Sequence, residues 1–541
     1  VGSGALGANT TADNNTVVGY NSLLANTTGT NNVSVGSQSL DANTSGNNNT
    51  AVGRLALTHA TTASNNTAVG TQSLQANTTG YSNSALGRQA LIANTEGNNN
   101  NVIGEAAAYN NTTGSNNNVM GRAAFYSNTT GSNNTALGQS AMNANTTADN
   151  NTAVGSSALQ LNTTGQNNTA VGVQALYQNT TASNNTAVGY DALGDCTTGF
   201  SNVAVGHNAM NALTDADENT AVGKDALGAL TTGNYNTAIG FESLASATTS
   251  TQLVAVGRHA LYSNSTGTQN TALGYSALYA NTTGDSNTAS GYFALGSNTN
   301  GDNNTAYGRD SLYNNTTANN NTAIGHYASR ANTTGSENCA VGSQALTGCT
   351  TGSSNNAFGH TALDAAVTGS YNNAFGQNAL GANTSGHRNT ALGQDSLQAN
   401  TTGQENTAVG NSALAQNNAN TNTAVGNNAL NANTTGADNV GVGRDTLTST
   451  TTGYDQTAIG SKAGETSTGH NNVFLGYNSQ PPSTGSNNCI VLGNSSSDNL
   501  RCNTSTINSY SDRRDKTDII DLPIGLDFVN KLRPVKFKWQ H

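Results

Sequence analysis

Charge is scarce in this sequence: of 541 residues, 18 are Lys or Arg and 29 are Asp or Glu, leaving a net charge of −11. No basic stripe exists to displace the counterions of a phosphate backbone, which argues against nucleic acid as a partner. No run of 18 apolar residues and no basic-plus-apolar leader occurs, so neither a helical membrane span nor a signal peptide is predicted within these residues. The sequence opens at Val1 inside a repeat, and it reads as a fragment or a processed product. The five cysteines (Cys196, Cys339, Cys349, Cys489 and Cys502) contain no Cys-x-x-Cys pair, which speaks against a disulfide framework or a zinc site. Cys196 and Cys349 stand where Asn normally starts a turn and are expected to be inert small-residue replacements. The eight histidines form no His-Glu-x-x-His. Asp215, Asp217 and Glu218 make the only acidic cluster, without a complete calcium loop, and are expected in a solvated turn. No metal and no cofactor is expected.

Aromatic residues are also few, at 5%, and Asn, Thr, Ala and Ser dominate a chain with 61 glycines. That composition belongs to low-complexity, disordered segments, but a period overturns the reading. Thirty glycines from Gly2 to Gly493 recur every 17 residues, and only the steps Gly410 to Gly426 and Gly460 to Gly476 shorten to 16. With the glycine as position zero, position 16 is aliphatic (Val18, Val52, Leu86, Ile103, Val154) and position 4 is usually Leu (Leu23, Leu57, Leu159, Leu278). A period of this length means one supersecondary unit stacked many times, and hence a solenoid.

Within a unit, Thr-Ala-Val-Gly and the segment ending Ala-Leu each read as a short strand, and Asn-Thr-Thr-Gly-x-Asn-Asn as turn chemistry. Two strands and two turns make one coil of a β-roll, and coils stacked about 4.8 Å apart predict a rod of roughly 140 Å. Positions 15 and 16 point to opposite faces of a strand, yet both are apolar, so the strand needs cover on both sides. A thin coil covers one; a second copy of the chain is expected to cover the other. Val154 and Leu159 are therefore predicted to be buried, with Asn162 and Thr163 at an exposed turn. Asn26-Thr27-Thr28 and Asn14-Asn15-Thr16 fit the glycan acceptor pattern, and equivalents recur along the chain. The same residues serve equally as Asn and Thr ladders along the rod axis.

The core Asn-Thr-Ala-Val-Gly-x-x-Ala-Leu resembles the head repeats of trimeric autotransporter adhesins, with their Asn-x-x-Ala-Ile-Gly-x-x-Ala units and a shorter coil. The resemblance covers about nine-tenths of the chain and implies a parallel, homotrimeric β-roll.

After Gly493 the pattern breaks. A polar neck, Asn494 to Tyr510, leads to Ser511-Asp512-Arg513-Arg514-Asp515-Lys516 and then to Leu532-Arg533-Pro534-Val535-Lys536-Phe537-Lys538-Trp539. Pro523 to Leu532 reads as a short amphipathic helix, and Val535, Phe537 and Trp539 alternate with polar residues as a strand. These residues resemble the start of the intramolecular chaperone domain of endosialidases and other phage tail fibres and spikes. The resemblance implies a domain that trimerises the chain, assists its folding and releases itself by cleavage beside a Ser-Asp step. It makes Ser511 the nucleophile, Lys516 its base and Asp512 the residue after the cut. A Ser hydroxyl needs such a base, and a Lys serves when burial lowers its pKa.

The expected fold is thus all-β: a 17-residue-repeat β-solenoid shaft over residues 1–493, expected to form a parallel homotrimer, a neck over 494–510, and the truncated start of an α+β chaperone domain over 511–541. The expected function is a structural fibre, a phage tail-fibre shaft or host-attachment appendage, with no enzymatic activity beyond single-turnover self-cleavage. The alternative is a cell-surface trimeric adhesin or a glycosylated extracellular filament; an enzyme-bearing spike would need a further catalytic domain. The expected partners are the chain itself and a host-surface glycan or protein receptor, and the expected location is a virion fibre or the cell exterior.

Overall fold

A computed structural model describes residues 2–497, and the chain divides between Asn494 and Ser495. The first unit is the solenoid. Each coil contributes one strand of three residues, from β1 (Thr16–Val18) to β29 (Ile490–Leu492), and the 29 strands make a single sheet. Every strand pairs in parallel with the next without a register shift: Thr152, Ala153 and Val154 of β9 (Thr152–Val154) face Thr169, Ala170 and Val171 of β10 (Thr169–Val171). The two short coils keep this register, with Thr407 opposite Thr423 and Thr457 opposite Val473, so the missing residue is absorbed in the turns. At about 4.8 Å per strand the sheet runs about 130 Å.

One strand per coil, not two, is a correction to the sequence reading. The Gly-x-x-Ala-Leu segment stacks on its neighbours as a run of turns whose backbone alternates in hand. Ser157, Leu159 and Asn167 have φ of 57°, 51° and 58°, and their equivalents repeat along the rod. Left-handed backbone costs an L-residue about 1–2 kcal/mol. The alternation turns successive N–H groups up and down the axis: Ser157 N donates to Gln139 O of the coil before, at 2.9 Å, and Leu159 N to Ala175 O of the coil after, also at 2.9 Å. These bonds between coils offset the strain, so the segment keeps this backbone through the coils on either side of it.

The repeated glycine ends each strand. Gly155 has φ of 139°, and a Cβ there would lie 2.6 Å from the Gly172 carbonyl carbon of the next coil. Only a residue without a side chain fits.

The core of a coil is narrow: Ala153, Ala158 and Leu159 are fully buried, together with Asn162. Leu159 is where the sequence placed it. The small residue of the strand points inward, however, and Val154 is only half-buried on the outer face; the two faces of the strand are the reverse of the predicted burial of Val154. Asn162 is a second correction, for it is a core residue rather than an exposed turn residue, while Thr163 beside it is half-buried. In two coils a change at one core position is matched by the opposite change at another. Ala108 replaces the usual Leu in the coil whose strand carries Val119 in place of Ala. Gly464 replaces Leu where Phe474 fills the core, and a Cβ on Gly464 would lie 2.6 Å from that ring. Cores tolerate such exchange when total volume is kept.

Candidate functional surfaces and the C-terminal motif

The asparagines that begin each turn form a ladder inside the coil. Asn145 Nδ2 donates to Asn128 Oδ1 at 2.8 Å, Asn162 to Asn145 at 3.1 Å and Asn179 to Asn162 at 2.8 Å. Each also closes its own turn, as Asn162 does on Gly165 O at 3.0 Å. A second ladder runs beside the strand: Asn168 N donates to Asn151 Oδ1 at 2.9 Å, and Asn151 Nδ2 reaches Gly165 O of the next coil at 3.0 Å. The threonines of the turn repeat the theme, with Thr163 Oγ1 donating to Thr180 O at 2.9 Å.

This geometry divides the glycan acceptor patterns into two sets. The Asn of Asn-Thr-Thr, as in Asn26 and Asn162, is completely buried; its Nδ2 closes the turn and its Oδ1 accepts from the Asn of the next coil. The first Asn of Asn-Asn-Thr, as in Asn14, Asn150 and Asn167, is exposed. The acceptor pattern alone does not separate them, because both are Asn-x-Thr.

Cys196 and Cys349 occupy ladder positions, wholly buried, with Sγ near Gly199 O at 3.4 Å and Gly352 O at 3.5 Å. Burial pushes both thiols up to about 12, so neither is a nucleophile near neutral pH. Cys196, Cys339, Cys349 and Cys489 are all free. In the acidic cluster, Asp217 serves as a rung of the outer turn: Phe200 N donates to its Oδ1 at 2.8 Å, and its own N–H donates to Asn234 Oδ1 at 2.8 Å.

The outer face of the sheet carries the most distinctive surface. Position 16 is apolar on every strand except β17 (Thr288–Ser290), and the column includes Leu86 at 49% exposure, Met120 at 51%, Leu392 at 49% and Ile459 at 46%. A stripe about 130 Å long, even one side chain wide, exceeds the roughly 300–600 Å² of the largest apolar patch on a typical monomer. The sequence pattern called for one outward apolar face on the strand without showing that position 16 forms it.

Ser511, Asp512 and Lys516, with the predicted helix and strand that follow them, lie outside the described residues. Among the described residues no helix is long and apolar enough to cross a membrane.

A fibre-like structural protein is the class that such a rod defines. Residues 511–541 match the Peptidase_S74 family, described as chaperone of endosialidase. The chain therefore joins a 17-residue-repeat β-solenoid to a C-terminal segment similar to a self-cleaving chaperone. No curated protein and no solved structure matches the chain.

Proposed function

We propose that the chain is the shaft of a homotrimeric extracellular fibre, of the kind a phage tail uses for host attachment, folded with the help of its C-terminal chaperone segment. The observation that carries the reading is the outward apolar column, in a chain whose C-terminal sequence matches a chaperone family. The column gives each copy a long apolar face broken at Ser290, whose area is of the order of the roughly 800 Å² per partner of a standard interface. Copies aligned in parallel would bring strand to strand along it, and a seam of this length needs help to form in register. An intramolecular chaperone supplies that help in the family resembled, and Ser511 and Lys516 are the residues for its release.

Mass photometry of the full chain tests the assembly: a trimer is expected, and a stable monomer at micromolar concentration would overturn it. Replacing Val154, Val171, Val188 and Val205 together by Asp should reduce the trimer while leaving the coil interior untouched, because Ala153 and its equivalents face inward. A glycosylated filament is the second reading, favoured by exposed acceptors such as Asn150 and Asn167. Intact mass of the chain from its native source separates the two.

A further inference from the structure

The coils between Gly223 and Gly342 differ from the rest of the rod in one respect. Every cation–π pair among the described residues, and most of their ring–ring contacts, lies between Lys224 and Arg330. Just after the strand-ending glycine, where other coils carry polar residues such as Gln139 or Ser156 or interspersed rings and cations such as Arg88 and Tyr190, six successive coils place Lys224, Phe241, Arg258, Tyr275, Tyr292 and Arg309 without interruption. Lys224 Nζ and the Arg258 guanidinium each lie 5.5 Å from the Phe241 ring centre. Tyr275 and Tyr292 stack at 5.2 Å, and Arg309 sits 5.7 Å from Tyr292. A second file, Tyr262 on Tyr279 at 5.3 Å, runs alongside, and Phe293 joins Tyr292 to Tyr313 by edge contacts of 4.8 and 5.9 Å.

These side chains are not needed to make a coil, since the coils with Gln139 and Ser156 have the same strand and turns. They are also accessible: Phe241 is 38% exposed and Tyr292 48%. Charges of both signs are mixed here. Lys224 lies 3.0 Å from Asp225 and Arg309 3.2 Å from Asp310, while Arg258 donates to the Tyr275 hydroxyl at 3.1 Å.

We propose that this block is a carbohydrate-binding surface for an extended, neutral pyranose chain lying along the rod. Aromatic edges and tyrosine tips offer apolar contact to the C–H groups of a sugar while keeping a polar handle. The neighbouring acid–base pairs set a donor beside an acceptor, which is what adjacent sugar hydroxyls require. Between Gly223 and Gly342 acidic side chains outnumber basic ones, which disfavours an acidic ligand, and the straight repeat of about 4.8 Å per coil favours an extended chain over a compact epitope. A protein partner would want a fully desolvated apolar centre, and here each ring has an ion or a hydroxyl beside it.

The proposal rests on the reading of the chain as an attachment fibre for where such a glycan is met, so oligomeric state is measured in the same samples. Isothermal titration of the full chain with cellohexaose and with chitohexaose is expected to show saturable binding of at least one. Tyr275→Ser with Tyr292→Ser should weaken it at least tenfold at unchanged thermal unfolding, and Arg309→Gln, which leaves the ring stack in place, should weaken it about threefold. Tyr109→Ser, in the stacked Tyr109–Tyr126 pair outside the block, should bind as the parent does. Saturation by neither sugar, or equal binding by both block variants, would overturn the proposal. Binding that persists in a monomeric sample would retain it while removing the trimeric reading.

Discussion

The amide oxygen of Asn43 is buried without a donor because the residue one coil on is Ala60, which has no amide to offer. The ladder runs one way, each Asn Nδ2 giving to the Oδ1 of the coil before, so every interruption leaves an orphan oxygen on its N-terminal side. Asn179 precedes Cys196, Asn332 precedes Cys349 and Asn433 precedes Thr450. Asn400 precedes the short coil, where Asn417 turns its amide to Ala419 O at 3.0 Å instead.

Ala60→Asn should therefore stabilise the rod. The new amide would donate to Asn43 and accept from Asn77, closing the ladder on both sides, and a net hydrogen bond contributes about 1 kcal/mol. Asn162→Ala should do the opposite, stranding the Asn145 oxygen at a cost of about 1–3 kcal/mol. Denaturant unfolding and local amide exchange read both; a less stable Ala60→Asn would refute the ladder.

Gly155→Ala should be more damaging than any neighbouring surface change. It combines a φ of 139° with overlap on the Gly172 carbonyl, and strain of this kind costs on the order of 1–3 kcal/mol before the clash is counted. Ser156→Ala, at an exposed position, should be neutral within about 0.5 kcal/mol. Thermal melts followed by circular dichroism compare the two.

Mild acid should stabilise the rod. Burial raises the carboxyls of Asp41, Asp191 and Asp364 above the ordinary value of 3.8, with Asp195 adding to the effect at Asp191. A carboxyl with a raised folded pKa favours folding while protonated, and that contribution is lost as pH rises from about the unfolded value through the folded one. The melting temperature should thus be higher just above pH 4 than at pH 7, and Asp364→Asn should flatten the difference. A rod that loses stability monotonically from pH 7 to pH 4 would contradict this assignment.

Thiol labelling should follow burial. In the native chain at pH 8, an alkylating reagent should reach half-buried Cys489 well before Cys196 and Cys349, whose thiols are held near 12. Mass mapping after a timed pulse checks the order, and rapid labelling of Cys196 would place it elsewhere than in the ladder.

The proposed release chemistry is tested in a chain extended to a complete chaperone domain. Cleavage is expected between Ser511 and Asp512, with Ser511→Ala and Lys516→Ala each blocking it because one removes the nucleophile and the other its base. Both variants should still assemble. Intact-mass analysis that finds the same cut in both would remove the dyad.

Much of this protein was legible before any fold. The recurrence of glycine set the coil length, Thr-Ala-Val marked the strand, Leu159 and its equivalents marked the core, and residues 511–541 carried their own family resemblance. These are local or periodic signals, and periodicity survives without knowledge of neighbours. The inside of the strand was not legible, because Ala153 and Val154 are both apolar and pattern alone does not say which one meets Leu159. Nor was the second half of the coil: Leu159 at φ of 51° contradicts its own propensity and exists because the coils above and below take its hydrogen bonds. Asn162 looked like a turn residue and is one, yet it is buried, since stacking lets its amide find partners on the rod axis that no single coil contains. The period was thus written in the chain, while the hand of each residue and the face it shows were decided by contact with the next copy of the repeat.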